Sequence, residues 1–101
     1  MHRITVQYFS PADPAAFDER YESRHVPLVR ALPGLKSFTL SRPRPLGTDA
    51  PHLVAELWFE DAEALKAALH SPEMAAAAED AAKYDVAATI MFSGEVREVL
   101  R

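Results

Sequence analysis

The sequence predicts an α+β fold in which one four-stranded antiparallel sheet carries helices on a single face. Three observations lead there. Four short segments alternate apolar and polar residues with a period of two. The stretches between them hold capping residues, prolines and apolar residues at helical spacing. Their order is β-α-β-β-α(α)-β, the split arrangement of a ferredoxin-like sheet.

The first strand is read over residues 3–9, with Ile4, Val6 and Tyr8 on one face and Thr5, Gln7 and Phe9 on the other. A helix follows over about residues 14–32. Asp13 is placed to accept from the free N–H groups of its first turn, and Pro14 fits the first helical position. Phe17, Tyr21, Leu28 and Leu32 recur along it as an apolar stripe, and His25 falls on the same stripe. Pro27 lacks a backbone donor and crowds the carbonyl of Ser23, so the helix is expected to be disturbed beside His25. Pro33-Gly34 ends it.

Residues 35–42 read as the second strand, with Phe38 and Leu40 opposite Ser37, Thr39 and Ser41. The proline-rich stretch 43–51 is a connection or lid, and residues 52–60 form the clearest strand. There Leu53, Ala55, Leu57 and Phe59 alternate with Val54, Glu56 and Trp58. Asp61 caps a short helix over 62–70, and Ser71-Pro72 starts another that carries residues 73–84. Its alanines are read as helix formers rather than as chemistry. Residues 86–93 complete the sheet, and 95–100 are expected to form a further strand or an extended arm.

The 101 residues fit one domain with one core. Apolar residues make up 49% and charged residues 26%, which is the balance of a folded globule rather than of a disordered chain. A formal charge of −4 with scattered basic residues excludes a nucleic-acid footprint. The absence of cysteine removes disulfides, thiolate nucleophiles and thiolate metal sites. No run is long and apolar enough for a signal peptide or a membrane span, so a cytoplasmic protein without membrane partners is expected. No glycine-rich phosphate loop or nucleophile elbow is present, and no histidines stand at metal-ligand spacing. Neither a metal nor another cofactor is therefore expected.

A sheet with helices on one side leaves its other face bare. Thr5, Gln7, Phe9, Ser37, Thr39, Glu56 and Trp58 fall there, a mixture suited to a lined cavity. Two such faces meeting across a two-fold axis would cover each other and leave a pocket, so a homodimer is expected.

The stretch PADPAAFDERYESRHVPLVRALPGL (11–35), with its Tyr21…His25-x-Pro27-Leu28 spacing and Pro33-Gly34 stop, resembles the EthD family of dimeric α+β barrels. AELWFEDAEALKAAL followed by SPEM (55–74) adds to the likeness. The resemblance implies a ferredoxin-like protomer paired through its open sheet face, working in small-molecule catabolism or secondary metabolism. The family takes its name from gene clusters for ether degradation, where a P450 performs the oxidation. Related barrels include cofactor-free lactone isomerases and polyketide-processing lyases.

His25 titrates near neutrality and is the candidate general acid/base, with the Tyr21 phenol one turn away as a helper. A histidine on an apolar helix face also fits a purely structural role, bonded to backbone where the helix opens. Glu56 is a second candidate proton carrier if its face is covered, or the partner of Arg3 or Arg97 if it is not. Thr5, Gln7, Phe9, Thr39 and Trp58 are expected to line the pocket around a small apolar organic ligand. His2, His52 and His70 stand at element ends and are expected to be exposed. The expected chemistry is cofactor-free proton transfer on a lactone, polyketide or aromatic metabolite. A redox accessory to an oxygenase and a non-catalytic binding module are the alternatives. Native mass spectrometry should return twice the 11.2 kDa chain mass, and a monomer would remove the reason for a dimeric barrel.

Overall fold

A computed structural model describes residues 1–100. Four strands, β1 (His2–Pro11), β2 (Ser37–Ser41), β3 (Leu53–Phe59) and β4 (Val86–Glu95), form one sheet in the order β2-β3-β1-β4. Every neighbouring pair is antiparallel. The helices pack on one face, giving the ferredoxin-like α+β fold that the element order implied. Among the described residues, no helix is long and apolar enough to cross a membrane.

Strand alternation decides what each face holds. Ile4, Val6 and Tyr8 of β1 pair with Leu57, Ala55 and Leu53 of β3, and all but the half-buried Val6 are buried beneath the helices. Together with Phe59, Val29, Leu32, Leu65 and Ala68 they form most of the core. The opposite face carries Arg3, Thr5 and Gln7 against Trp58, Glu56 and Val54. On the other side of β1, Phe92 and Ile90 stand opposite Thr5 and Gln7 and are 46% and 47% exposed. This face has no covering layer within the protomer.

The helix predicted over 14–32 is three pieces: α1 (Pro14–Arg20), a π turn (Tyr21–His25) and α2 (Val26–Arg30). The caps are as read: the Ala16 N–H donates to the Asp13 carboxylate at 3.1 Å, and Pro14 follows. The π turn has a cause in the spacing of the buried residues. Phe17, Tyr21, His25 and Val29 are all buried at steps of four. In an α-helix each such step rotates the side chain by about 40° away from the last. The wider π turn takes part of that drift back and keeps Tyr21 and His25 facing the sheet. It also places Val29, rather than Leu28, on the buried stripe. In the wider turn the Val26 N–H donates to the Tyr21 carbonyl, just before Pro27, which has no donor to give. Gly34, at φ +74°, turns the chain out after α2 in a conformation that favours glycine.

Two short helices follow β3. Asp61 caps α3 (Ala62–Leu69) through the Ala64 N–H at 2.8 Å. Ser71 caps α4 (Pro72–Ala81) through the Met74 N–H at 3.1 Å. β4 runs to Glu95, beyond the expected 93, and residues 96–100 form no strand, so of the two forms expected for 95–100 the further strand is not made. The Val96 N–H donates to the Met1 carbonyl, after which the chain leaves the sheet edge. Phe59 is fully buried, so Phe59→Ala should lower the unfolding free energy by about 3–5 kcal/mol in urea titrations.

Candidate functional site

His25 is 4% exposed and lies between α4 and the sheet. Its Nδ1 is 3.0 Å from Oδ2 of Asp80, a carboxylate on α4 that is itself 8% exposed. The Tyr84 hydroxyl donates to the same oxygen at 2.6 Å. Asp80 is thus a buried charge supplied with two donors, which is what makes its burial tolerable.

The protonation states follow from these contacts. Burial works against the Asp80 charge and is the largest single influence on it. The hydrogen bonds from Tyr84 and His25, with the positive charge of Arg20, outweigh it and hold the carboxyl below its ordinary range. For His25, burial lowers the pKa below the ordinary 6.5, and the bond and charge of Asp80 offset this only in part. At neutral pH the pair is therefore an ionised carboxylate and a neutral imidazole. Such a carboxylate can only accept, so Nδ1 carries the proton and donates. Nε2 is left with its lone pair, the state required of a base.

The rings of Tyr21 and Tyr84 touch the imidazole, and Tyr8 stands behind Tyr21. Tyr21 packs on His25 with centroids 4.9 Å apart, and Tyr8 meets Tyr21 edge-on at 5.5 Å. The Tyr8 and Tyr21 hydroxyls lie close enough to influence each other's ionisation. Burial pushes Tyr8 up to about 12 and Tyr21 higher still, so both remain protonated donors. Two protonated hydroxyls can spend at most one O–H on each other, so at least one stays free to donate. Burial and the bond to Asp80 likewise raise Tyr84.

Tyr8, Tyr21 and His25 border a cavity of about 190 Å³ between the helices and the sheet. Its remaining walls include Val6, Leu32, Leu57, Met74 and Met91, and Thr89 is its other polar side chain. A base with a bare nitrogen and a phenolic donor therefore face one largely apolar space. Such an arrangement can take a proton from a carbon or oxygen acid and hold the oxygen anion that results.

The sequence-predicted residues divide between the two sides of the sheet. His25 and Tyr21 come together at the cavity. Glu56, Thr5, Thr39 and Trp58 are joined by strand register on the opposite face, and Gln7 alternates onto it with Phe9. The expectation of one pocket holding all of them is corrected, because a period of two sends odd-numbered β1 residues away from the helix that carries His25. Glu56 pairs with Arg3 at 3.1 Å, and the Arg3 guanidinium lies 5.5 Å from the centre of the Trp58 ring. Thr5 is buried on that face, and none of the described residues bonds its hydroxyl.

His70 is exposed, but His2 and His52 are half-buried, contrary to expectation. The His52 Nε2 lies 2.8 Å from the Asp18 carboxylate, which also pairs with Arg42 at 2.9 Å. One carboxylate of α1 thus holds both ends of the proline-rich connection.

Asp80 and Tyr84 were not foreseen as site residues. A signal for Asp80 exists. Met74, Ala77, Asp80 and Tyr84 recur at three- and four-residue steps and so share one helical face. An acidic residue within that stripe is a buried carboxylate in search of a donor. Its neighbour Glu79 makes the pair look like an ordinary solvated patch.

Comparison with known proteins agrees with this architecture. The EthD domain family model matches residues 10–88. The chain is similar to an uncharacterised 11.0 kDa protein from the thcB-thcC intergenic region of Rhodococcus erythropolis. The two are 41% identical over 98 residues, which covers 94% of this chain and 95% of the relative. Among solved structures, an ethyl tert-butyl ether d (ethd) family protein of Bacillus halodurans superposes with a TM-score of 0.86. It is 32% identical, over 96% of this chain and 99% of its own. SnoaB, a cofactor-independent oxygenase of Streptomyces nogalater, gives a TM-score of 0.69 at 21% identity, over 98% and 95% of the two chains. That likeness shows a shared fold alone.

The buried pair has a measurable pH signature. The folded chain resists protonating His25, whereas the unfolded chain protonates it near 6.5, so this contribution to stability is complete above 6.5 and is lost as pH falls toward the lower folded value. An NMR titration of His25 should give a midpoint below 6.5 in the native protein. It should fall further in Asp80→Asn, because Asp80 is the influence that raises it. A midpoint at or above 6.5 would contradict the neutral-imidazole assignment.

Proposed function

The chain belongs to the EthD family, and we propose that within it this protein performs cofactor-independent acid–base chemistry on a lactone, polyketide or aromatic metabolite. The observation that carries this reading is the Asp80–His25 pair, which fixes the proton on Nδ1 and turns a bare Nε2 into the base. In the proposed reaction Nε2 takes a proton from a carbon next to a carbonyl, or from a phenolic hydroxyl. The electron pair of the broken bond moves toward the substrate oxygen, which the free phenolic O–H of the Tyr8–Tyr21 pair stabilises. Returning the proton at a different carbon isomerises the substrate, and expelling a leaving group from the neighbouring carbon makes the reaction an elimination.

Asp80 stabilises the imidazolium formed between the two steps, and Tyr84 positions Asp80. Removal of a proton from an electron-rich substrate is also a reasonable opening for cofactor-independent oxygenation, the activity named for SnoaB. Oxygen uptake distinguishes that outcome from isomerisation. We further read the open sheet face, with Ile90, Phe92 and Trp58, as the surface through which two copies pair.

Hydrogen–deuterium exchange tests the proton transfer without knowledge of the natural substrate. A panel of enolisable lactones and cyclic ketones in deuterated water should exchange their α-protons faster with the protein present. The acceleration should fall by about 10²–10⁴-fold in His25→Ala and by less in Asp80→Asn. Because the working form of His25 is the unprotonated one, the rate should decline with acid only below 6.5. Equal exchange in native protein and His25→Ala, with both folded, would remove His25 from the chemistry.

A further inference from the structure

The cavity beside His25 has a size and a charge pattern that narrow its ligand beyond a general metabolite class. Its volume is about 190 Å³. An apolar cavity of about 150 Å³ is enough to hold benzene. This space therefore matches one six-membered ring with one or two small substituents more closely than a fused ring system.

None of the lining residues is Arg, Lys, Asp or Glu. Behind His25 stands the carboxylate of Asp80, with its Oδ2 engaged by His25 and Tyr84. An anionic ligand would lose its hydration, meet no cation and lie near that negative charge, a combination costing several kcal/mol. A cationic ligand would find no exposed carboxylate on the cavity wall to pair with.

The polar groups are gathered rather than scattered, with Thr89 opposite Tyr8 in the strand register. Tyr8, Tyr21 and His25 are packed ring against ring. They offer one free phenolic O–H and one bare imidazole nitrogen, a donor and an acceptor for a single oxygen-bearing group. Away from them the walls are aliphatic, with Met74 and Met91 among them. Methionine adapts its shape and makes favourable contacts with aromatic ring edges. Met91, 50% exposed on the edge strand β4, and Ala78, exposed on α4, both border the cavity where it opens to solvent.

We propose that the ligand of this site is an uncharged single-ring compound bearing a hydroxyl or carbonyl oxygen. Its oxygen lies at the Tyr8–Tyr21–His25 end and its ring edge lies toward Met74 and Met91. The proposal rests on the Proposed function for the location of the site, but its test reads binding rather than turnover, so the two fail separately.

Calorimetric and ligand-observed NMR titrations at neutral pH decide it with four probes: 4-methylphenol, 4-methylcyclohexanone, 4-hydroxybenzoate and 2-naphthol. The first two carry one ring, no charge and one oxygen, as a hydroxyl and a carbonyl respectively. The third adds a carboxylate and the fourth adds a ring. At least one of the neutral single-ring probes should bind about tenfold or more tightly than both of the others. The tighter of those two identifies whether the oxygen is phenolic or carbonyl. Binding should shift the His25 ring resonances, and Ala78→Phe should weaken it by obstructing the opening from an exposed position. Circular dichroism and thermal unfolding of that variant would verify that it folds. The proposal is overturned by equal or tighter binding of 4-hydroxybenzoate or 2-naphthol. It is also overturned by binding unaffected in folded Ala78→Phe, or by no binding of either neutral probe at millimolar concentration. Tight binding of a neutral probe with no deuterium exchange would uphold this inference and end the catalytic one.

Discussion

The hydrogen bond between His25 and Asp80 joins residues 55 positions apart in sequence, and the chemistry of the site depends on it. It links the π turn to α4. It fixes the imidazole tautomer, and it lets a carboxylate remain ionised where solvent is nearly absent. Neither group is easily buried alone. A lone carboxylate there would take up a proton, and a lone imidazole would leave a nitrogen without a partner. Tyr84 completes the arrangement with a short hydrogen bond to the same oxygen and keeps its own proton well into the alkaline range.

The π turn is the backbone half of the same design. Tyr21 and His25 must both face the sheet for the phenol and the imidazole to border one cavity. Phe17 and Val29 must face it as well, to anchor the two ends of the helix. A regular α-helix would rotate these four residues progressively around its axis. Inserting the wider turn at Tyr21–His25 keeps them aligned and places the irregular backbone at the site itself. The rings of Tyr21 and Tyr84 then pack against His25, backed by Tyr8 and Phe17. The bond to Asp80 and these contacts hold Nε2 in a defined direction.

The sheet separates two kinds of surface. Toward the helices lie the cavity and its base. On the bare face, the Arg3–Glu56 pair, the cation–π contact on Trp58, and the exposed Ile90 and Phe92 make a mixed surface without a layer above it. Glu56 is therefore part of a surface ion pair and stands apart from His25. A second copy on this face would cover those apolar side chains on the side of the sheet away from the cavity.

Much of this was legible in the residues. Alternation in β1 and β3, the caps at Asp13, Asp61 and Ser71, and the Pro33-Gly34 stop determined the elements and their order. These signals act over two to four residues, within the reach of local stereochemistry. The same local rules placed His25 and Tyr21 on one inward stripe and put Pro27 at the disturbed turn. The same alternation set Thr5, Gln7, Phe9, Thr39, Glu56 and Trp58 on the face bare of helices, and tertiary structure decided that a cavity opens on the other side, beside His25. It also decided that Asp80 turns inward to meet His25. Helical periodicity places a residue on a face, but only packing determines which distant charge that face will meet. The buried pair exists because the fold brings together two groups that could not be buried separately.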